Sequence, residues 1–510
     1  MTDPVTDPAV IVVGGGPVGL AGALLLARQG VPTLVLERRD AASTHPKARG
    51  LRMRASELAA VWGWDDDLRA IAMPGDSHRF VYTTTLAGEE IARTSTMESV
   101  DEGWSSVAPY RVPQDRLEHV IGRRAAGDPL IRVVRGAEVT AVDDDGTRVR
   151  VTTADGATYS APYLIAADGV GSRIRSGLGI AFGSGGATPY WHSILWHGDL
   201  SELAAHRPAI MYYTQSGGDA LVGVAPAGSF ERWVTIVQNP PAAERPAALS
   251  PDEAREVVRR AVGVADLDPV LESIETFRIS ADVAESYRAG RVFLAGDAAH
   301  CFPPTGGFGI NTGFADVHNL AWKLARVLDG SAPASLLDSY DTERRPVAAS
   351  NAAWSTANSK RFVAVKRAMI DDDRDALRTL LAEQQSHVDP LLQDLGFAYA
   401  PVADGAPPYA RPVLGGRAPH VALADGSTLD AFEGRLTVVA AAAHSAWLVA
   451  AESLGLSALA LASDRYPLGE GALLVRPDGH VGWMTPDAPA DAVGRLAAAR
   501  DAVLARGLAV

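Results

Sequence analysis

The chain has 510 residues, 47% hydrophobic and 21% charged, and a formal net charge of −14. This length suits roughly two to four domains of about 150 residues each, and the apolar content supports large cores, which excludes a disordered protein. The acidic balance argues against nucleic acid or an anionic membrane as a partner, and the single cysteine, Cys301, excludes an internal disulfide and any C-x-x-C redox pair.

Residues 10–13 read as an apolar strand, followed by Gly14-Gly15-Gly16-Pro17-Val18-Gly19 and a helix over 19–29. In this context Gly14, Gly16 and Gly19 permit a tight turn, close approach of backbone to a diphosphate, and close packing of the helix, and Pro17 within the turn is counted among the cofactor contacts. The helix aims its positive end at phosphate. A second strand over 33–36 delivers Glu37, with Arg38 beside it, where a carboxylate accepts hydrogen bonds from ribose hydroxyls. Met1-Thr2-Asp3-Pro4 shows neither the basic nor the apolar part of a secretory signal, which fits a cytoplasmic setting.

Further along, 117–124 reads as a helix, and 131–134, 138–142, 148–153 and 163–167 read as strands, the last ending at Asp168-Gly169. Between 183 and 276 the pattern changes to aromatic and β-branched strands over 191–196, 210–214, 220–224 and 232–237, as expected of a sheet inserted into the first domain. A buried-type strand over 291–295 then feeds Gly296-Asp297-Ala298-Ala299-His300, and Pro303-Pro304-Thr305-Gly306-Gly307-Phe308-Gly309-Ile310-Asn311 leads into a helix over 311–328. Phe314, Val317, Leu320, Ala321, Leu324 and Leu328 recur on one face of that helix and belong to a core.

A polar helical stretch over 346–395 and a Pro/Gly-rich segment over 401–419 precede a third unit. Its order is strand 436–440, helix 446–454, strand 458–462, a hairpin over 471–483 and a helix over 488–504, which resembles a thioredoxin-like domain. Ala442-Ala443-His444-Ser445-Ala446-Trp447 stands where the redox cysteines would be, so a structural or oligomerisation role is expected. The alanine-rich stretch 436–462 is too interrupted to span a membrane.

Taken together, the two glycine signals, Asp168-Gly169, Pro46-Lys47-Ala48-x-Gly50, Arg54, Glu57, Gln114 and Tyr340-x-x-Glu343-Arg344-Arg345-Pro346 resemble the group A flavoprotein aromatic hydroxylases. The phenol and polyketide hydroxylase branch with a thioredoxin-like tail is the nearest likeness. The resemblance implies an α/β architecture with a Rossmann-type FAD-binding domain over 1–182, including a substrate-domain excursion near 75–105. An inserted β-sheet substrate domain would cover 183–276, with the second part of the FAD domain and connecting helices over 277–395. A linker over 396–413 and a thioredoxin-like domain over 414–510 would complete it.

FAD is the implied cofactor, NADPH or NADH the electron donor, and O2 and a small aromatic compound the substrates; a homodimer is compatible, and no metal site is expected. By the same likeness, Glu37 binds the adenosine ribose, Arg111 and Gln114 contact the middle of FAD, Asp297 holds its ribitol and phosphate region, and Asp168-Gly169 serve both FAD and the nicotinamide. Lys47 stands where the family usually has arginine; lacking the planar fork it gives a weaker phosphate contact, for which Arg49 is placed to compensate.

Hydroxylation through a C4a-hydroperoxyflavin sets three requirements. Charge developing on the flavin pyrimidine needs amide donors and a helix start, which makes Pro304, Gly306, Gly307, Gly309, Ile310 and Asn311 the leading catalytic and cofactor loop. Water must be kept out, so Trp191, Trp196, Tyr212, Trp233 and Pro303 are expected to line an apolar pocket. The phenol needs a polar partner, for which Tyr212, Tyr213 and His192 are candidates. His300 and Cys301 read equally well as structural groups. Gly223 and Ala225 fall near the positions where the hydroxybenzoate branch carries a serine and an arginine that grip a carboxylate, so a larger phenolic or polycyclic ring is favoured over a simple benzoate. The alternatives are a non-hydroxylating FAD-binding protein, either an intermediate-sequestering partner or a flavin oxidase, and the same flavin chemistry turned to epoxidation or Baeyer-Villiger insertion.

Overall fold

Strands covered on both faces read as continuous apolar runs, and Val10–Val13, Tyr163–Ala166 and Val292–Leu294 are buried along their whole length. The computed structural model describes residues 7–73, 79–94, 103–182, 189–217, 221–239, 245–383, 390–402, 407–441, 445–488 and 490–509. It joins these runs to Thr33–Glu37 and Ile131–Arg135 in a six-stranded sheet, parallel except for the edge hairpin Arg288–Ala289 with Val292–Leu294. The Pro17–Arg28 and Gly309–Leu328 helices pack so closely that a Cβ added at Gly22 would lie 3.1 Å from Val317.

A second sheet of seven strands runs in the order Val270–Arg278, Tyr190–His197, Arg232–Gln238, Leu221–Ser229, Met211–Thr214, Phe80–Thr83, Glu90–Arg93. Its last two strands come from the chain excursion after residue 75, of which 74–78 and 95–102 lie outside the described residues, as does Ala220 of the strand expected over 220–224. One face of the sheet packs on the Pro251–Val262 helix, the other on the Ser339–Ile370 and Arg374–Glu383 helices.

The expectation of a helix beginning at Pro346 is corrected: it begins at Ser339 and carries Pro346 inside it. An interior proline removes one backbone hydrogen bond, but tertiary bonds on both sides hold the helix. Tyr340 donates its hydroxyl to the Leu294 carbonyl at 2.7 Å, Arg344 bonds Asp316 at 3.0 Å, and Asn351 donates to Thr312 at 2.9 Å.

The last unit is a four-stranded sheet in the order Ser457–Ala460, Thr437–Ala440, Ala472–Val475, Val481–Thr485, with the first pair parallel and the rest antiparallel. The Ala446–Ser453 and Ala492–Arg506 helices complete a βαβ unit followed by ββα, which is the thioredoxin arrangement; Ala442, Ala443 and His444 lie outside the described residues. This unit docks on the nucleotide-binding domain through buried charges. Glu57 accepts from Arg54 and Arg417, while Glu343 accepts from Arg476 at 2.7 and 2.9 Å and from Lys323 at 2.7 Å. Arg476 also pairs with Asp478, which Asn319 approaches as well. In the motif Tyr340-x-x-Glu343-Arg344, Glu343 is therefore a structural member of this contact, while Tyr340 and Arg344 brace the nucleotide-binding domain through Leu294 and Asp316. Among the described residues, no helix is long and apolar enough to cross a membrane, and no His/Cys/Asp/Glu cluster is arranged to hold a metal.

Candidate active site

At the end of the first strand Gly14 turns with φ +112°, and a Cβ there would fall 2.2 Å from the Ala167 carbonyl oxygen. Gly19 packs just as tightly, its would-be Cβ 2.0 Å from the Gly14 carbonyl oxygen. Gly16, by contrast, has nothing within 4 Å on its Cβ side and begins the Pro17–Arg28 helix with no capping side chain. Open first-turn amides with nothing but hydrogen in front of them suit a diphosphate. Glu37 ends the second strand, its carboxylate accepting from the Gly15 N–H and from the Arg39 N–H at 2.8 Å, so it stands fixed at the glycine turn with lone pairs to spare. Arg38 beside it is exposed.

The later glycine signal lies against the first. Asp297 is open to solvent yet sunk among protein atoms that raise its carboxyl above the ordinary carboxylate range, as at the floor of a deep cleft. Lys47 is exposed on the same cleft, near enough to Asp297 for the two charges to interact. Gly296 turns with φ +58° against Val18. Gln114 brackets the 46–50 segment, its side-chain carbonyl accepting from Ala48 N–H at 3.2 Å and its own N–H donating to the Ala48 carbonyl at 2.8 Å. Arg111 lies half-buried beside Arg52, Arg49 and Asp394, and burial brings its guanidinium down to about 10. The Asp168 carboxylate accepts from Ser172 Oγ at 2.6 Å and faces the Ile174 N–H at 3.4 Å, which shapes the Gly169 turn. Arg175 then ties that turn to the Ala298 carbonyl at 3.1 Å. His300 is fully buried against Asp316 at 2.7 Å, a structural position behind the Gly296-Asp297 turn, and burial raises the Cys301 thiol.

The 303–309 loop is held from both sides. Thr305 bonds Ser355 and Ser359 of the long helix at 2.9 and 2.7 Å, and Asn358 donates to the Thr305 carbonyl at 2.8 Å. From the other side Arg52 donates to the Gly306 carbonyl at 3.0 Å and to Asp394 at 2.8 Å, while its backbone N–H reaches Asn311 Oδ1 at 2.8 Å. Asn311 in turn donates to the Gly307 carbonyl. Pro304 and Gly307 are exposed, Pro303 and Ile310 buried, and the Gly309–Leu328 helix has no side-chain cap, so its first amides are available to a ligand. No sequence motif marks Arg52; its signal lies only in contacts 254 and 342 positions away. Arg52→Ala is expected to keep flavin bound but lower product formation about 10- to 100-fold, with NAD(P)H oxidation diverted to peroxide, because loops misplaced by about 1 Å cost rates of that order; paired NAD(P)H and peroxide assays check it.

Strand parity decides which sheet residues face this loop. Phe362, one turn beyond Ser359 on the long helix, packs on Tyr213 with ring centroids 4.7 Å apart. Trp191, Met211, Tyr213, Leu221, Ala225 and Ile236 therefore lie on the loop side, in the cluster shared with that helix. Gly223 shares this face, its missing side chain replaced by the Met211 sulfur, 2.5 Å from a would-be Cβ. The assignment of Tyr212, Trp196 and Trp233 to the pocket is corrected: all are fully buried on the opposite face under the Pro251–Val262 helix. Tyr212, expected as a catalytic candidate, donates to the Arg207 carbonyl at 2.8 Å, and His192 bonds Thr276 at 2.9 Å on the strand position before Ser193. Tyr212→Phe is expected to cost about 1 kcal/mol of stability, the worth of one buried hydrogen bond, with substrate affinity unchanged in a binding titration.

Comparison with known proteins agrees with this geometry. The family described as FAD binding domain matches residues 7–355, and that described as Aromatic-ring hydroxylase, C-terminal matches 411–507. The chain is 33% identical to a 4-methyl-5-nitrocatechol 5-monooxygenase of Burkholderia sp, over 99% of each chain. It is 31% identical to a tetracenomycin A2 monooxygenase-dioxygenase of Streptomyces glaucescens, covering 98% of this chain and 97% of that one. The crystal structure of the flavin-dependent monooxygenase PieE, in complex with FAD and substrate, superposes with a TM-score of 0.89 at 28% identity over 98% of this chain and 100% of PieE. With both domain families matched and near-full-length monooxygenase relatives, the chain belongs to the FAD-binding aromatic-ring hydroxylases, the flavoprotein monooxygenases.

Proposed function

We propose that this monooxygenase hydroxylates a phenolic, polycyclic polyketide-type ring, using NADH or NADPH and O2. The observation that carries the reading is the apolar and aromatic sheet face, Trp191, Met211, Tyr213, Leu221, Ala225 and Ile236, directed toward the clamped 303–309 loop. Glycine and alanine at 223 and 225 provide no sheet-borne carboxylate clamp, which disfavours a simple benzoate. The unbranched Met211 thioether over Gly223 offers an adaptable apolar surface. The relatives named above include one acting on a nitrocatechol and one named for tetracenomycin A2.

FAD would be held by Gly14, Gly16, Gly19 and the helix starting at Pro17 for the diphosphate, by Glu37 for ribose, and by Lys47, Arg111, Gln114, Asp168, Gly169, Gly296 and Asp297 along the cleft. Bound there, FAD would relay two electrons from the nicotinamide to O2, one oxygen atom of which enters the ring while the other leaves as water. The chain contributes the rest: Pro304, Gly306, Gly307, Gly309, Ile310 and Asn311 present amides to charge developing on the flavin, and Trp191, Pro303 and Gly223 help exclude water from the ring. A cytoplasmic location, where NAD(P)H is found, is part of the proposal and is consistent with the single cysteine.

Holoenzyme mixed with NAD(P)H, isotopically labelled O2 and a panel of simple and fused-ring phenols tests this. Substrate-stimulated NAD(P)H oxidation and one labelled oxygen in a hydroxylated product are expected. Oxidation with no labelled product across the panel would instead favour a flavin oxidase or an intermediate-sequestering protein, and a labelled epoxide or lactone would favour those other oxygen insertions.

A further inference from the structure

The 45–50 segment crosses the loop-facing side of the substrate sheet. His45 bonds Ser193 and Ser273, both at 2.7 Å, on two neighbouring strands, and Arg49 lies near enough to Tyr213, three strands further across, for the two side chains to interact electrostatically. Four residues of extended chain span at most about 14 Å, matching three inter-strand spacings of about 4.8 Å. Between these ends Gln114 fixes Ala48 through both its backbone N–H and its carbonyl. Arg49 is thereby delivered by a pinned backbone to a wall of aromatic rings: Tyr213 stacks on Tyr82 at 5.3 Å and on Phe80 at 5.9 Å, with Phe362 edge-on at 4.7 Å.

Arg49 differs from the sunken arginines that a backbone carbonyl or a carboxylate holds; Arg175 donates to Ala298 and Arg207 to Leu86 and Gly88. Arg52 pairs with Asp394, Arg54 and Arg417 with Glu57, Arg344 with Asp316, and Arg476 with Glu343 and Asp478. Among the described residues no carboxylate pairs with Arg49, and its Nε is buried without a hydrogen-bond partner; the ionisable groups that interact with it are Tyr213 and the like-charged Arg111. A guanidinium whose buried N–H lacks a partner is costly unless a ligand completes it; an anionic oxygen completes the cation, and an aromatic ring that carries it suits the rings alongside.

Resting on the monooxygenase reading above, we infer that Arg49 is the specificity-determining cation of this pocket, binding the ionised oxygen of an acidic phenol against the Tyr82–Tyr213 wall. The sheet has no arginine of its own at 223 or 225, so the charge that selects the substrate comes from the nucleotide-binding domain instead. Favouring the phenolate also favours the more nucleophilic form of the ring, so one contact serves both selection and reactivity.

The test uses flavin-loaded wild type, Arg49→Gln and Arg49→Lys, with a nitrophenol whose absorbance reports ionisation and with its O-methyl ether. In wild type the bound nitrophenol should be ionised and its apparent pKa lowered relative to free probe. Arg49→Gln should weaken nitrophenol binding about 10- to 100-fold, the worth of a charge-assisted hydrogen bond, and return its pKa toward the free value. The ether's affinity should be unchanged, and so should the FAD dissociation constant, since the pinned 45–48 backbone gives Arg49 to the sheet and not to the phosphate contact expected of it beside Lys47; Arg49→Lys should recover part of the loss. Equal weakening of phenol and ether, or loss of FAD, would overturn the inference, as would a changed KM for NAD(P)H with phenol binding intact, which would assign Arg49 to the dinucleotide. Because these are binding readouts on holoenzyme, they stand apart from the labelled-oxygen experiment, whose failure would sink the hydroxylase reading while leaving the phenolate site open to measurement.

Discussion

Gly14→Ala should yield a folded, colourless protein that takes up FAD at least about 100-fold more weakly than wild type. The added methyl would sit 2.2 Å from the Ala167 carbonyl oxygen, far inside contact distance, on a backbone at φ +112° that L-residues avoid. Strain and overlap of about 3 kcal/mol, converted at about 1.4 kcal/mol per decade, give the estimate. Relief requires the first strand to part from the 167–169 turn, and that movement opens the floor on which a diphosphate would rest. Gly30→Ala is the control: φ there is also positive, at +76°, but nothing lies within 4 Å, so the cost stops at the backbone term of about 1–2 kcal/mol with flavin uptake preserved. Visible absorbance of the purified proteins and fluorescence titration with FAD read both outcomes, and equal flavin affinity in the two variants would refute the close-approach argument.

Glu343→Ala should detach the C-terminal unit. It removes the shared acceptor of Arg476, Lys323 and Asn319, leaving Lys323 fully buried without a carboxylate and Arg476 with Asp478 alone. Breaking a buried pair on one side costs about 3–5 kcal/mol, whereas replacing both sides by apolar groups is often tolerated. Glu343→Leu with Arg476→Met is therefore expected to regain part of the loss. Calorimetry together with limited proteolysis of the 396–413 connection reads the effect, the single variant melting earlier and releasing the C-terminal unit. The same contact predicts acid sensitivity. Burial alone would raise the Glu343 carboxyl, but Arg476 and Lys323 hold it at about 2, below its ordinary 4.5. A carboxyl depressed in the folded state stabilises above its unfolded pKa and loses that contribution as pH falls through the folded value. Wild type should thus lose stability between about pH 4.5 and 2, and Glu343→Ala should show a shallower decline over that window.

This docking also accounts for motif residues that carry no reaction chemistry. Arg54, Glu57, Tyr340, Glu343 and Arg344 look like site residues in a sequence because they are charged or polar at fixed spacing. In the folded chain all are buried, and they join two domains or brace the helix behind the Gly296-Asp297 turn.

Local sequence determined what depends on local geometry. A strand, three glycines, a helix start and a terminal acid specify the dinucleotide turn within 28 residues (Val10 to Glu37), because each constraint acts between chain neighbours or across one parallel pair. The second glycine loop and the helix after it were legible for the same reason. Tertiary structure alone decided which sheet face meets the loop. Tyr212 and Tyr213 are equally aromatic and adjacent, and period-two alternation sends them to opposite sides; only the packing of one helix under Tyr212 and another over Tyr213 tells core from pocket. The partners of Arg52 and the surroundings of Arg49 were equally hidden, since what distinguishes one arginine from another is the carboxylate, ring or carbonyl that folding brings near it from hundreds of positions away.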